Sequence, residues 1–338
     1  MKTLQTDTGS KTDLKDFPKP EIGNDEALIR TLGCSVCGTD LLKINLKLLK
    51  KPTILGHEIV GEIYEIGNEV KNFKIGDRVV VAHHVPCLTC HFCRHECYSM
   101  CETFKKTNLD PGGFAEYVRL SRAHLKHTTF KIPETMPWQE AIFTEPLACC
   151  VRNINRLPLK KGDSVIVIGL GSIGLLMGAL LKRLECKIIG VDLDPKRCDI
   201  AREFGFENTS SKYDEGLSQT IMKLSENRMA DGVILTAGPA ELLQDSLSWI
   251  RNGGFINLFS HLSGEKSEID TAELYHRELQ IVTSYSPSLE SLKEAFQILT
   301  KENLNLKRMF QTYPYEKFSQ AIADINGRLA LKALIEFI

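Results

Sequence analysis

The sequence lacks the features that mark membrane-spanning, secreted and nucleic-acid-binding proteins. It has no run of about eighteen apolar residues that could cross a bilayer. Its opening stretch, "MKTLQTDTGSKTDLKDF", contains no apolar segment of the kind found in secretory signals. Positive and negative side chains nearly cancel to a formal net charge of −1, so nothing draws the whole chain to nucleic acid or to anionic membranes. We therefore expect a cytoplasmic protein that binds neither.

Internal repeats, low-complexity tracts and proline-rich linkers are also missing from the sequence. The 338 residues are 43% hydrophobic and 25% charged, which is the balance of a folded globular protein. A chain of this length exceeds the usual size of a single domain. We therefore expect two globular domains.

The hydrophobic pattern changes near residue 150. Before that point, short apolar runs are broken by glycine, as in residues 56–82, and this pattern predicts a β-rich, barrel-like domain. From residue 161 onward, apolar runs alternate with helical periods, which predicts βαβ units on a parallel sheet. The later elements predicted are strands at 231–238, 253–260 and 279–286, a helix at 240–250, and a returning tail with a helix at 289–302 and a strand at 330–338.

Five of the eleven cysteines fall within residues 86–101. Four of them have the spacing C-x2-C-x2-C-x7-C, namely Cys87, Cys90, Cys93 and Cys101. Cytoplasmic thiols stay reduced, so this spacing predicts a closed tetrahedral zinc site rather than disulfides. His91 or His95 could replace a sulfur, but the four thiolates already complete the set. Cys97 lies outside the spacing and has no predicted metal role.

A glycine fingerprint opens the second part of the chain. The stretch "VIVIGLGSIG" places Gly169, Gly171 and Gly174 in G-x-G-x-x-G, directly after a branched apolar strand and at the start of a helix. Such a turn lets the backbone approach a pyrophosphate, which the backbone N–H groups and the helix N-terminus then bind. The predicted phosphate loop includes the intervening Ser172 and Ile173.

Asp192 ends the next strand, eighteen residues after Gly174. A carboxylate there accepts hydrogen bonds from the ribose hydroxyls of a dinucleotide, and it would repel a 2′-phosphate. This favours NAD over NADP. Lys196 and Arg197 follow closely and weaken that preference without reversing it, and Arg197 is itself a predicted cofactor-binding residue.

Six ordered motifs resemble one known family. They are "GCSVCGTD", "GHEIVGEIYEIGNEVKNFKIGDRVVV", the four-cysteine run, "GGFAEYV", "EPLACC" and the glycine fingerprint. Together they are similar to the zinc-dependent medium-chain alcohol dehydrogenases, most of all to the sorbitol or polyol dehydrogenase branch. The resemblance implies an α/β protein with a GroES-like β-rich catalytic domain and a doubly wound Rossmann cofactor domain.

Domain boundaries follow from the resemblance and the pattern together. We expect a catalytic domain at 1–149 with its structural zinc lobe at about 84–104, a Rossmann domain at 150–287, and a return to the catalytic domain at 288–338.

The resemblance also implies a catalytic zinc site. Its ligands would be Cys37 of "CGTD", His57 and Glu58 of "GHE", with Glu145 of "EPLACC" as a further carboxylate. A mixed set of this kind leaves one position open to the substrate oxygen, so the metal can act as a Lewis acid. Which of the two glutamates binds the resting metal stays open. Cys34 forms a C-x2-C pair with Cys37 and could be a second thiolate ligand, but the matching motif favours core packing.

Four further residues near these motifs are interpreted as packing or structural residues. They are Cys149, Cys150, His83 and His84.

Two neighbours of Cys37 have roles implied by the family. The hydroxyl of Thr39 would take the proton released by the alcohol and pass it toward solvent. Asp40 would accept the free ring N–H of His57 and fix its tautomer. The alternative is that both residues only cap a turn. The chain departs from the family where a shortened loop is filled by residues 41–51, "LLKINLKLLKK", which we interpret as a solvated helix face rather than a membrane-binding helix.

The expected function is therefore the NAD-dependent oxidation of a secondary hydroxyl of a polyol, sugar alcohol or cyclitol-like substrate to a ketone, with two Zn²⁺ per chain. Threonine or amino-alcohol dehydrogenase is the alternative within the same family. A catalytically silent NAD-binding protein and a zinc-ribbon binding module are more remote alternatives. Relatives of this kind are dimers or tetramers, so we expect a homo-oligomer.

Overall fold

The computed structural model describes residues 1–264 and 266–338. The chain divides into two compact units, one comprising Met1–Ala148 with Pro287–Ile338 and the other comprising Cys149–Ser286. Below, these are the first and the second unit. The boundaries expected from the sequence, after residues 149 and 287, fall beside these divisions.

The described residues form the following strands and helices. The strands are β1 (Lys2–Thr6), β2 (Thr12–Asp16), β3 (Ala27–Ser35), β4 (Thr53–Ile54), β5 (Glu58–Ile66), β6 (Arg78–Ala82), β7 (Tyr117–Leu120), β8 (Thr129–Lys131), β9 (Ser164–Ile168), β10 (Lys187–Val191), β11 (Asn208–Ser210), β12 (Ala230–Leu235), β13 (Ile250–Leu258), β14 (Gln280–Thr283), β15 (Gln311–Pro314) and β16 (Ala333–Glu336). The helices are α1 (Gly38–Asn45), α2 (His91–Arg94), α3 (Glu102–Lys106), α4 (Arg122–His127), α5 (Trp138–Ala141), α6 (Thr144–Ile154), α7 (Ser172–Arg183), α8 (Pro195–Glu203), α9 (Glu215–Leu224), α10 (Leu242–Asp245), α11 (Thr271–His276), α12 (Leu289–Lys301) and α13 (Phe318–Asn326).

The first unit is built on antiparallel strands. Its larger sheet has the order β15-β16-β3-β5-β6-β8, with β7 paired to β3, and a small sheet has the order β2-β1-β4. Every pairing is antiparallel except that of β15 with β16. In register, Ser35 on β3 faces Glu58 on β5 from one side and Leu334 on β16 from the other. The C-terminal strand therefore lies beside the strand ends that bear the predicted zinc ligands.

The second unit is a six-stranded parallel sheet with the order β11-β10-β9-β12-β13-β14. All five residues of β9, "SVIVI", are buried, as expected of a central strand covered on both faces. The strand order is that of a Rossmann fold, with β9 at the centre and the switch point between β9 and β12. The predicted cofactor domain is thus present.

Several element boundaries differ from those predicted from the sequence. The helix predicted at 240–250 is limited to α10 and a 3-10 turn over Ser246–Trp249, and β13 begins at Ile250. Trp249 and Ile250 are both buried, at 8% and 1% exposure, because they pack into the sheet core. Core packing therefore overrides the helical period of this segment. The strand predicted at 231–238 ends at Leu235, and Gly238 turns the chain with a φ of +119°.

The lysine-rich stretch at 41–51 is only partly helical. Helix α1 begins after Cys37 and ends at Asn45, and Lys47 follows with a φ of +53°. Most of the stretch after Ile44 is exposed, in line with a solvated face. No helix of the described chain has the length and apolar character needed to span a membrane.

Candidate active site

The four cysteines of the predicted structural zinc site lie together in the first unit. The Sγ atoms of Cys87, Cys90, Cys93 and Cys101 are all within 4.8 Å of one another. Two of the separations are 3.9 Å, from Cys87 to Cys93, and 3.6 Å, from Cys90 to Cys93. A tetrahedron with Zn–S bonds of about 2.3 Å has sulfur–sulfur edges of about 3.8 Å. The arrangement therefore fits a zinc ion.

The surroundings of the cluster also suit thiolates bound to a cation. The Cys87 sulfur accepts hydrogen bonds from the hydroxyl of Thr89 at 3.5 Å and from the N–H of Cys90 at 3.3 Å. The Thr89 hydroxyl is the main cause that lowers the pKa of Cys87 to about 5, whereas burial is the main cause that raises the pKa of Cys93 to about 12. The apolar core of this lobe is small and consists of Cys93, Tyr98, Cys101 and Phe104. A zinc ion bound to the four cysteines would stabilise the folded lobe, because so small a core contributes little stability by itself.

A second group of metal-binding side chains forms at the ends of β3 and β5. Cys37 precedes α1, His57 immediately precedes β5, and Glu58 is the first residue of β5. The candidate ligand atoms of these three residues lie within 4.8 Å of one another. The group combines a thiolate, an imidazole and a carboxylate. This is the donor set of an open zinc site, in contrast to the closed cage of four thiolates.

Asp40 lies beside His57, where it can accept the free ring N–H of that histidine. The Oδ1 atom of Asp40 is 3.5 Å from Nδ1 of His57, and its Oδ2 atom accepts the backbone N–H of Cys37 at 3.1 Å. The Asp40 side chain is fully buried. Burial alone would lower the pKa of His57, but the charges and hydrogen bonds of Asp40 and Cys37 together outweigh it and raise that pKa well above the usual value. Because Nδ1 faces Asp40, the other ring nitrogen, Nε2, is the one left for a metal.

The sequence reasoning missed the partner of Glu58. The Nζ atom of Lys332 lies 2.5 Å from Oε2 of Glu58, and the side chains are 5% and 1% exposed. The hydroxyl of Ser35 donates to the same carboxylate oxygen. Burial would lower the pKa of Lys332, but the charge and hydrogen bond of Glu58, together with the charges of Cys37 and Glu145, outweigh it and raise that pKa. One oxygen of Glu58 is therefore occupied by protein partners. A lone lysine in the apolar run "LALKALIEFI" was the available signal.

The remaining predicted residues of this site occupy separate positions. Glu145 lies on the first turn of α6, is 6% exposed, and is close enough to contribute to the raised pKa of Lys332. It is not in the group of three described residues whose ligand atoms converge. Thr39 is exposed on the first turn of α1. Cys34 is fully buried in the core of the first unit, outside the ligand group, as the packing interpretation expects.

The glycine fingerprint forms the predicted turn in the second unit. Gly169 has a φ of +92°, and a Cβ on Gly174 would lie 1.9 Å from the carbonyl oxygen of Gly169, so only glycine permits the close passage of α7. Helix α7 begins at Ser172, followed by Ile173, directly after Gly171. Its N-terminal N–H groups are available to an anion.

Asp192 follows β10 and is held by the backbone. It accepts the N–H of Leu170 at 2.9 Å and the N–H of Asp194 at 2.9 Å. The Nη1 atom of Arg197 is 3.6 Å from its Oδ2 atom, and the same Nη1 would lie 3.8 Å from a Cβ on Gly171. Arg197 therefore lies over the glycine turn and beside the carboxylate. The predicted ribose-binding carboxylate therefore has a cation beside it that could suit a phosphate.

Comparison with known families and proteins assigns both units. Residues 23–134 match the family "Alcohol dehydrogenase GroES-like domain" and residues 172–301 match the family "Zinc-binding dehydrogenase". These matches confirm the predicted fold class.

Curated relatives extend over most of the chain. The sequence is 31% identical over 249 residues to the sorbitol dehydrogenase of Bacillus subtilis, an alignment that covers 71% of this chain and 69% of that protein. It is 27% identical to the D-arabitol-phosphate dehydrogenase of Enterococcus avium, with 95% and 92% covered. It is 25% identical to the L-threonine 3-dehydrogenase of Alteromonas mediterranea, with 96% of both chains covered.

Solved structures have the same fold. The alcohol dehydrogenase TADH of Thermus sp. ATN1 superposes with a TM-score of 0.88 at 24% identity, covering 99% of both chains. The galactitol-1-phosphate dehydrogenase of Escherichia coli superposes with a TM-score of 0.85 at 25% identity, covering 99% of this chain and 100% of the other.

Proposed function

The chain belongs to the zinc-dependent medium-chain alcohol dehydrogenases, polyol branch, and on this premise we propose that it oxidises a secondary hydroxyl of a polyol, sugar alcohol or cyclitol-like substrate to a ketone, with NAD as hydride acceptor. The observation that carries the proposal is the convergence of Cys37, His57 and Glu58, an open donor set of thiolate, imidazole and carboxylate. A protein that only bound NAD would not need this set.

The proposed chemistry divides between the bound groups and the chain. Zinc, when bound, supplies Lewis-acid polarisation of the hydroxyl, and NAD accepts the hydride from the carbon that bears it. Cys37 and His57 would hold the metal, and Asp40 would hold Nδ1 of His57 so that Nε2 stays free to bind. Thr39 would accept the hydroxyl proton and pass it to solvent, because it is exposed two residues after Cys37. The C–H electron pair leaves with the hydride, and the C=O bond forms as the proton departs.

Glu58 and Glu145 would together help to balance the positive charge of the zinc ion. Glu58 directs one oxygen to Lys332 and Ser35, so only its other oxygen is left for the metal. We propose that Glu145 is the second carboxylate, bound through water or exchanging onto the metal. Oxygen donors make the metal harder and its surroundings more polar than a second thiolate would. Such an environment suits a substrate that brings several hydroxyls.

NAD is proposed as the cofactor because Asp192 stands at the end of β10. A homo-oligomer is proposed because β14 is an edge strand on which Ile281 is 41% exposed, and Tyr285, two residues after the strand, is 65% exposed. Such an edge readily pairs with another chain. A monomeric mass measured by light scattering at micromolar concentration would contradict the proposed homo-oligomer.

A substrate panel tests the proposed activity. Polyols, L-threonine and other amino alcohols, and simple alcohols are supplied with NAD, and the absorbance of the reduced cofactor is followed. The proposal expects the fastest turnover with a vicinal polyol. A preference for L-threonine would instead support the alternative that the Alteromonas mediterranea relative suggests. Absence of turnover with every member of the panel would contradict the enzymatic assignment.

A further inference from the structure

A row of aromatic side chains extends from the candidate metal site in the first unit. The ring centroid of His83 is 4.7 Å from that of His57 and 3.8 Å from that of His84, and the His84 ring is 4.7 Å from that of Phe104. His83 is therefore a direct neighbour of a candidate zinc ligand. From the sequence alone, His83 is interpreted only as a structural residue at a strand end.

Other residues fix this row in place. The ring Nε2 of His124 lies 3.0 Å from the carbonyl oxygen of His83, and the ring Nδ1 of His84 lies 2.5 Å from the carbonyl oxygen of Thr107. Burial is the main reason that the pKa of His84 falls to about 4, so His84 is neutral at pH 7 and donates Nδ1–H to that carbonyl. Both histidines are thus positioned before any ligand binds.

One atom of the row is left without a partner. The Nδ1 atom of His83 is buried and forms no hydrogen bond within the part of the chain that the structure describes. A buried polar atom in this condition costs the free energy of its lost hydration unless a ligand or an ordered water pairs with it. Its position next to His57 makes the substrate the natural partner.

A cation lies close to the same row. Lys43 is on α1, six residues after Cys37, and is partly buried. It forms no ion pair with any carboxylate of the described chain. Its charge reaches the neighbourhood of the metal donors, because it contributes to the lowered pKa values of His83 and His84 after the larger effects of burial and of His57. It also helps to lower the pKa of Asp40, which burial alone would raise. By contrast, Lys50 in the same segment is exposed.

We propose that Lys43 and His83 recognise an anionic group, a phosphate monoester or a carboxylate, on the same carbon chain as the hydroxyl that is oxidised. This inference rests on the dehydrogenase activity of the proposed function, on a polyol or on the alternative threonine-like substrate, and narrows the substrate class by its charge. A neutral polyol could satisfy His83 with a hydroxyl, but it would give Lys43 no ion-pair partner, and the described chain provides none. An anion satisfies both groups, since charge-assisted hydrogen bonds are stronger than neutral ones.

Two matched substrate pairs test the inference. One pair is galactitol and galactitol 1-phosphate, and the other is L-threonine amide and L-threonine. Steady-state kinetics with NAD are measured for the zinc-loaded wild-type enzyme, for Lys43→Met and for the control Lys50→Met. We expect the wild type and Lys50→Met to favour the charged member of one pair by about tenfold to a hundredfold in kcat/KM. Lys43→Met should lose most of that preference through KM.

Binding and salt dependence provide readouts besides turnover. Calorimetric titration of the enzyme–NAD complex with the preferred charged compound should show weaker binding to Lys43→Met by a similar factor. Raising the KCl concentration should increase KM for the charged compound in the wild type more than in Lys43→Met, because salt screens the interaction of exposed charges. His83→Phe should weaken binding of the charged compound in a protein whose thermal unfolding is unchanged.

The outcomes separate this inference from the proposed function. A preference in the phosphate pair identifies a phosphate ester, and a preference in the threonine pair identifies a carboxylate. Oxidation of galactitol with no preference in either pair, or a preference that Lys43→Met keeps in full, overturns the inference while the dehydrogenase activity stands. If none of the four compounds or other alcohols is oxidised, the proposed function itself fails.

Discussion

Lys332 and Glu58 form a buried ion pair, with Nζ and Oε2 2.5 Å apart, at the edge of the candidate zinc site. The pair joins the start of β5, next to His57, to the chain just before β16, near the C-terminus. It also withholds one carboxylate oxygen from any metal. Lys332 is thus a positioning residue whose effect on the site passes through Glu58.

Removing the lysine should destabilise the protein. In Lys332→Met the Glu58 carboxylate would remain buried without its counter-charge, and breaking such a pair costs about 3–5 kcal/mol of the free energy of unfolding. Denaturant unfolding measures this loss. The double variant Lys332→Met/Glu58→Gln should lose less than the sum of the two single variants, because no unpaired charge is left. Additive losses would show that the two side chains do not interact.

The two metal sites should differ in how readily they release zinc. Elemental analysis should return two zinc ions per chain, and a chelator should abolish activity before it changes the circular dichroism spectrum, because the four-thiolate site is closed and is coupled to folding of its lobe. Cys37→Ala should give a folded, inactive protein, whereas Cys93→Ala should lower solubility or stability. One zinc per chain with full activity would contradict the assignment of the two sites.

Cofactor choice should depend on two residues of the second unit. We expect NAD to exceed NADP by on the order of a hundredfold in kcat/KM, because Asp192 binds the ribose hydroxyls and repels a 2′-phosphate. Asp192→Ala should reduce the preference for NAD over NADP. Arg197→Ala should increase it, since Arg197 is the cation beside Asp192 that a 2′-phosphate could use. Equal efficiency with both cofactors in the wild type would refute the assignment.

Glu145 should matter for turnover more than for cofactor binding. Glu145→Ala should lower kcat with the best polyol, because the metal loses a nearby oxygen donor, while the fluorescence titration with NADH stays unchanged. Glu140→Ala is a suitable control, since Glu140 lies on the neighbouring helix α5 and is partly exposed. Normal activity of Glu145→Ala would contradict the proposed role of this carboxylate.

Much of the fold was predictable because its signals are local. The glycine turn at Gly169, the buried run "SVIVI" and the cysteine spacing each specify one element or one ligand set, and the structure contains all three. The helix predicted at 240–250 failed because tertiary packing of Trp249 and Ile250 decides that segment.

Contacts between distant parts of the chain were not predictable. Lys332 lies 274 residues from Glu58 in sequence, and only the pairing of β16 with β3 and of β3 with β5 brings the two together. The close contact between the rings of His83 and His57 was not predictable either. Charge and residue type alone do not specify such partners, because many topologies are compatible with one hydrophobic pattern.

We propose that this chain oxidises polyols with the help of a zinc ion bound by Cys37, His57 and Glu58. The most direct test is the initial rate of NADH formation with the best vicinal polyol of the panel and with ethanol, before removal of the catalytic zinc, after its removal and after Zn²⁺ is restored. We expect the rate with the polyol to be at least about tenfold higher than the rate with ethanol. The polyol rate should disappear when the zinc is removed and return when Zn²⁺ is restored. Ethanol as the better substrate, or a polyol rate that is indifferent to zinc, would contradict the proposal.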